Sequence, residues 1–130
     1  MTTTDRNATA ALVALIALQA IMLGSLFAGV APHPPAATPL FAIGPFIGAA
    51  IATALAAITV GPTGSTVGRL LSCLAALMAL VSFGPQKYFD AQFALIWPAV
   101  LAGQLAVAAL IAATLRGRSA AARRTLPAAV

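Results

Sequence analysis

The chain has 130 residues, of which 62% are hydrophobic and 7% are charged, and its mean hydropathy is +1.03. Soluble domains carry about 25% charged residues, so this composition excludes a water-soluble fold and predicts a small all-α integral membrane protein. The seven Lys and Arg residues outnumber the two Asp and Glu residues. Because they flank apolar runs, they indicate contact with membrane lipid and no nucleic acid.

The first predicted span covers residues 8–30, an uncharged run long enough to cross about 30 Å of hydrocarbon at roughly 1.5 Å per residue. A cleaved signal peptide is the alternative for this run. We expect it to be retained, because its apolar part is long enough to span and Pro32 follows the best cleavage position. Residues 31–39 contain four prolines and predict a stiff turn.

The second span is predicted at residues 40–60. A Gly-Pro-Thr-Gly cluster comes directly after it and indicates a loop. The third is predicted at residues 66–84. Ser65 or Thr66 is a suitable N-cap for it, and Arg69 can extend from its first turns to the interface.

The fourth span is predicted at residues 93–115, after a polar and aromatic connection at residues 85–92. The chain therefore divides into a four-helix transmembrane domain, residues 1–115, and a basic tail, residues 116–130.

The distribution of basic residues predicts the orientation, since loops rich in Lys and Arg stay in the cytoplasm. Four spans leave only Lys87 on one side of the membrane. The other side receives six arginines, namely Arg6, Arg69, Arg116, Arg118, Arg123 and Arg124. We therefore expect a multi-pass protein of the cell inner (plasma) membrane with both termini in the cytoplasm.

The two halves of the sequence resemble each other. Phe41–Pro45 and Phe93–Pro98 each place a proline shortly after the start of a span, and Ser25–Gly29 is similar to Ser82–Gly84. Either two tandem helical hairpins derive from one unit, as a parallel duplication, or alanine-rich spans match by chance.

Two glutamines lie near the middle of the first and fourth spans, at similar depth. Gln19 and Gln104 are therefore predicted to form an interhelical polar contact if those helices pack together. The alternative is a polar contact to a quinone, a pigment or a substrate.

Gly44 and Gly48 form a GxxxG pattern on the second span, continued on the same face by Ala52 and Ala56. Small residues at this spacing allow two helix backbones to approach closely. The approaching helix belongs either to the same bundle or to another chain.

The eight aromatic residues all lie in the outer half of the predicted bundle: Phe27, Phe41, Phe46, Phe83, Tyr88, Phe89, Phe93 and Trp97. Interfacial anchoring explains such positions. The alternative is a docking surface, or a site for lipid, quinone or pigment. For docking, Phe89, Phe93 and Trp97 are the best candidates because aromatic residues dominate interface energetics.

Residues able to carry catalysis are scarce. Asp5 and Asp90, the two acidic side chains, are predicted on opposite sides of the membrane, and His33 and Cys73 are each single in the sequence. This pattern predicts no acid/base pair, no metal cluster and no enzyme activity.

By elimination, the sequence predicts a non-catalytic accessory or scaffolding subunit of a larger membrane complex, respiratory or photosynthetic, with other membrane protein subunits as partners. Two alternatives stay open at this stage. One is a small membrane subunit of a solute transporter, and the other is a free-standing membrane protein that binds lipid or another hydrophobic molecule.

Overall fold

The structure, a computed structural model, describes residues 1–32 and 39–125, and this part of the chain is helical without strands. Four helices are long and apolar enough to cross a membrane, which confirms the predicted fold class. They are α1 (Thr3–Ala28), α2 (Leu40–Val60), α3 (Thr66–Phe83) and α4 (Phe93–Thr125). A short 3₁₀ helix, Pro85–Phe89, follows α3. His33 and most of the proline-rich turn lie outside the described residues.

Helix α1 starts before the apolar run because its first turn is capped. The Thr2 hydroxyl accepts a hydrogen bond from the backbone N–H of Asp5 at 3.1 Å, which satisfies one of the free donors at the helix start. The helix ends at Ala28 because Gly29 adopts a left-handed conformation, φ 64°. Ser65 caps α3 in the same way by accepting from the N–H of Gly68 at 2.9 Å.

Helix α4 continues to Thr125, beyond Leu115, where we expected the span to end. The residues that follow Leu115 are mainly Ala and Arg, which favour helix whether or not lipid surrounds them. Hydropathy therefore marks the end of the apolar run, while the backbone hydrogen bonds of the helix continue past it.

The four helices pack in cyclic order, so that α1 contacts α2 and α4, and α3 contacts the same two helices. Among the described residues, nine of the thirteen members of the central core cluster are alanine, with Leu12, Leu15, Val107 and Leu110 between them. Such small side chains let the backbones approach closely, which is how helices gain packing energy in lipid.

Pro45 and Pro98 occupy equivalent positions in α2 and α4. Each lies five residues after the first residue of its helix, Leu40 or Phe93. A proline at this point cannot donate to the carbonyl four residues earlier, so both helices lose one hydrogen bond near this end of the bundle. We call the end that carries the 3₁₀ helix the outer end, after the orientation predicted from the sequence. The match agrees with the duplication proposed from the sequence, and equally with two independent helix starts.

Candidate functional site

The predicted aromatic candidates have different environments at the outer end of the bundle. Phe89 is 93% exposed and Trp97 is 49% exposed. Phe93 is instead partly buried, and its ring packs edge-on against Tyr88 with ring centroids 5.3 Å apart. Phe89 and Trp97 are therefore available to lipid or a partner, whereas Phe93 also stabilises the connection between the 3₁₀ helix and α4.

Gln104 links α4 to the end of α3 and to the 3₁₀ helix. Its amide nitrogen donates to the backbone carbonyl of Phe83 at 3.1 Å, and its amide oxygen accepts from the Tyr88 hydroxyl at 2.7 Å. The hydrogen bonds of Gln104 thus go to these two residues rather than to Gln19, the partner expected from equal depth. Gln19 is one of the residues of α1 that are buried in the bundle.

The glycines inside the bundle occupy places where two elements meet closely. At Gly103 a Cβ atom would come within 2.7 Å of the Phe83 Cβ, and at Gly117 it would come within 2.8 Å of the Thr63 Cβ. Contacts this short do not occur for real side chains, so a larger residue would force the helices apart. Close contacts within the chain therefore explain why positions 103 and 117 are glycine.

The GxxxG glycines of α2 differ from those internal positions. Gly48 is exposed, and a Cβ placed on it would have no neighbouring atom within 4 Å. Gly44 is more enclosed, with the Phe27 ring 3.9 Å from the corresponding position. Ala52, one turn beyond Gly48, is also exposed. The face of α2 that points away from the bundle therefore carries small residues that the described bundle does not cover.

A half-open cavity of about 190 Å³ lies in the outer half of the bundle, between α1, the end of α3, the 3₁₀ helix and α4. The sequence does not indicate this cavity, because residues that are far apart in the chain form it together. Apolar side chains from both helices form its walls: Leu18, Ile21, Met22, Leu95, Ile96, Ala99 and Val100.

Polar groups line the outer rim of this cavity. The Lys87 ammonium forms an ion pair with the Asp90 carboxylate, with Nζ and Oδ2 3.1 Å apart, and both side chains are mostly buried. The other oxygen of Asp90 accepts from the backbone N–H of Gln92 at 2.9 Å. The Gln92 N–H, followed by Lys87, holds the pKa of Asp90 below its usual value. The rim therefore carries one positive and one negative group, held in place by hydrogen bonds, and has no net charge.

At the opposite end, polar contacts join three elements. The Thr63 hydroxyl donates to the Asp5 carboxylate of α1, and the Arg69 guanidinium of α3 donates to the Thr63 backbone carbonyl at 3.2 Å. The backbone of α4 approaches the same threonine at Gly117. We call Asp5, Thr63, Arg69 and Gly117 the inner clasp. It brings the start of α1, the α2–α3 loop and the extension of α4 together.

Within residues 1–32 and 39–125, no three His, Cys, Asp or Glu side chains are grouped so that they could hold a metal ion. Cys73 is a free thiol in α3. Three features of the described bundle are suited to binding: the exposed aromatic rings and the rimmed cavity at the outer end, and the small-residue face in the middle of α2. No family model, curated protein or solved structure matches the chain.

Proposed function

We propose that this protein is a non-catalytic accessory subunit that packs beside a transmembrane helix of a larger complex in the cell inner membrane, with both termini in the cytoplasm. The observation that carries the proposal is the exposed face of α2 around Gly48 and Ala52. The partner we expect is an apolar helix of a different subunit. A bioenergetic complex, respiratory or photosynthetic, is the class that we propose by elimination.

The contrast between glycines supports this proposal. Glycine in a helix interior costs about 1 kcal/mol relative to alanine, and at Gly103 and Gly117 close contacts within the chain account for that cost. No described neighbour accounts for it at Gly48. A helix from another subunit would, because small residues at this spacing allow close approach and van der Waals contact along the backbone.

The exposed aromatic rings supply a second part of the same contact. Phe41 begins the outward face of α2 and is 83% exposed. Phe27, whose ring lies 3.9 Å from the Cβ position of Gly44, is 78% exposed. Rigid aromatic side chains bury large areas at little cost in side-chain entropy. A partner helix on α2 would therefore meet small residues at mid-membrane and aromatic rings at the outer interface.

The test replaces Gly48 with leucine and follows copurification of partner subunits from gently solubilised membranes by native mass spectrometry. Gly48→Leu adds volume on the exposed face without an internal clash, so insertion should be unchanged and thermal stability should not fall. Association with the partner should fall about fivefold to 150-fold, since overpacking a helix contact costs about 1–3 kcal/mol. Ala108→Leu, on an exposed position of α4, is the matched control and should retain the partner.

Equal copurification by Gly48→Leu and Ala108→Leu would contradict the proposal. Complexes whose masses are multiples of 13.0 kDa, lost in Gly48→Leu, would instead assign the face to self-association. A second substitution set, Phe89→Leu with Trp97→Leu, measures the outer aromatic contribution on the α4 side. Phe93 is kept in that variant because it packs on Tyr88.

Binding of a hydrophobic molecule is the second candidate function. The rimmed cavity between α1 and α4 favours it. This cavity is separate from the small-residue face of α2, since no described residue of α2 lines it. The two functions use different surfaces and are compatible.

A further inference from the structure

We propose that the outer cavity binds the neutral, oxygen-bearing ring of a tailed amphiphile, of which a quinone head is the model, with the tail leaving between α1 and α4 into lipid. The proposal rests on the size of the cavity, the direction in which it opens and the chemistry of its rim. It does not depend on the accessory role of α2.

The volume limits the occupant to a single ring. A cavity of roughly 150 Å³ lined by apolar side chains binds one benzene molecule, and this cavity measures about 190 Å³. One substituted six-membered ring fits such a space. A pigment macrocycle does not, since pockets for drug-sized ligands span about 300–1,000 Å³.

We infer the side on which the cavity opens from the exposure of its lining residues. Ile21 of α1 and Leu95 of α4 both line the cavity, and they are 65% and 63% exposed. Val100, at the inner end of the lining, is only 1% exposed. The cavity therefore closes toward the bundle interior and opens through an apolar gap, so an alkyl or isoprenoid tail can remain in hydrocarbon while the ring is enclosed.

The rim favours a neutral head that accepts hydrogen bonds. The ammonium of Lys87 has three N–H donors, and among the described residues it donates to the Asp90 carboxylate. Because Asp90 already balances the charge of Lys87, an anionic head would gain little attraction and would meet a carboxylate. A carbonyl or hydroxyl oxygen on the ring can accept from Lys87 without disturbing the ion pair.

The experiment titrates the full chain, reconstituted in nanodiscs of zwitterionic lipid, with decyl ubiquinone. Its fully substituted ring does not add the thiol of Cys73. Binding to the folded state raises the midpoint of thermal unfolding, Tm, in a concentration-dependent way. Decylbenzene carries the same tail without acceptor oxygens, and dioctanoylglycerol offers ester and hydroxyl acceptors without a ring. We expect Tm to rise with decyl ubiquinone and to change little with the other two.

Two pairs of variants locate the site. Ala99→Leu fills the cavity and should weaken binding at least about tenfold, whereas Ala94→Leu, exposed on the same helix and outside the lining, should leave it unchanged. Lys87→Met removes the donor and should weaken binding about tenfold, because hydrogen bonds to charged groups are the strong ones. Lys87→Arg keeps a charged donor and should retain most of the affinity.

An unchanged Tm with decyl ubiquinone would overturn the proposal, as would equal affinity in Ala99→Leu and Ala94→Leu. An equal response to decylbenzene would show a cavity that takes any apolar group, and a response to dioctanoylglycerol alone would assign the site to neutral lipid. Either result would reject the oxygen-bearing ring. A response lost in Ala99→Leu and in Lys87→Met would support it.

Discussion

At the scale of single residues, Gln104 shows how a polar group is accommodated in an apolar bundle. Its amide uses a donor and an acceptor at once, one toward the Phe83 carbonyl and one toward the Tyr88 hydroxyl. Because Phe83 is the last residue of α3, its carbonyl has no partner within the helix. Gln104 satisfies this group and thereby fixes α4 against the outer end of α3.

The first prediction follows from these two hydrogen bonds. Gln104→Leu should destabilise the protein by about 1 kcal/mol, in the range measured for polar contacts between membrane helices. Tyr88→Phe removes one of the same bonds and keeps the ring contact with Phe93. A double-mutant cycle on thermal unfolding in detergent should therefore show coupling between Gln104 and Tyr88.

The matched control is the cycle between Gln104→Leu and Gln19→Leu, which should be additive because no hydrogen bond joins these described side chains. Coupling in the Gln19 cycle together with additivity in the Tyr88 cycle would reverse the assignment.

At the scale of elements, the inner clasp provides packing partners for the polar ends of α1 and α4, which are helical beyond the apolar runs. Thr63 is buried in the α2–α3 loop, although loops at a membrane surface are usually hydrated. Its hydroxyl and its backbone carbonyl are both used, by Asp5 and Arg69, and Gly117 lets α4 pass beside it. The extension of α4 therefore has a packing partner within the chain.

The second prediction tests this clasp. Thr63→Val keeps the shape of the side chain and removes its bond to the Asp5 carboxylate, so it should lower stability by about 1–2 kcal/mol, as for other hydrogen bonds to charged groups near a surface. Thr59→Val is the control, since the Thr59 side chain is exposed and bonds only to the Ala56 carbonyl of its own helix. Thermal unfolding of both variants in the same detergent is the measurement. Equal melting of the two would mean that the clasp adds no stability.

At the scale of the whole molecule, the basic residues gather at one end of the bundle. The bond between Asp5 and Thr63 places the start of α1, next to Arg6, at the α2–α3 loop, next to Arg69. Helix α4 reaches the same end with Arg116 and Arg118. Lys87 lies at the other end, paired with Asp90. The charge difference between the two ends is therefore a property of the folded bundle as well as of the loops.

The third prediction concerns orientation in the membrane. In a Cys73→Ser background, Ala91→Cys at the outer connection should react with an impermeant thiol reagent added to intact cells, because we expect the end with few basic residues to face outward. Ser119→Cys on the basic extension of α4 should react only after the cells are opened. The reverse pattern of labelling would show that the termini lie outside.

The sequence predicts that the outer half is the region for binding, which stays a prediction, and it does not predict the arrangement within that half. The positions of the aromatic residues along the chain indicate their depth, and GxxxG spacing indicates a close helix contact. Neither pattern tells that Phe93 packs on Tyr88, that Gly48 faces away from the bundle, or that α1 and α4 leave a cavity. Each of these depends on how the helices are rotated.

The sequence by itself determined the all-helical class and the number of spans. In hydrocarbon the backbone groups of these runs must be hydrogen-bonded within the same segment, which a helix achieves. Four apolar runs separated by Gly, Pro and polar residues therefore form four helices. The tertiary structure alone decided which faces meet, the partners of Gln104, the inner clasp and the outer cavity. The physical reason is that these spans are apolar on all sides, so no hydrophobic stripe selects an inward face and close packing of small side chains makes the choice.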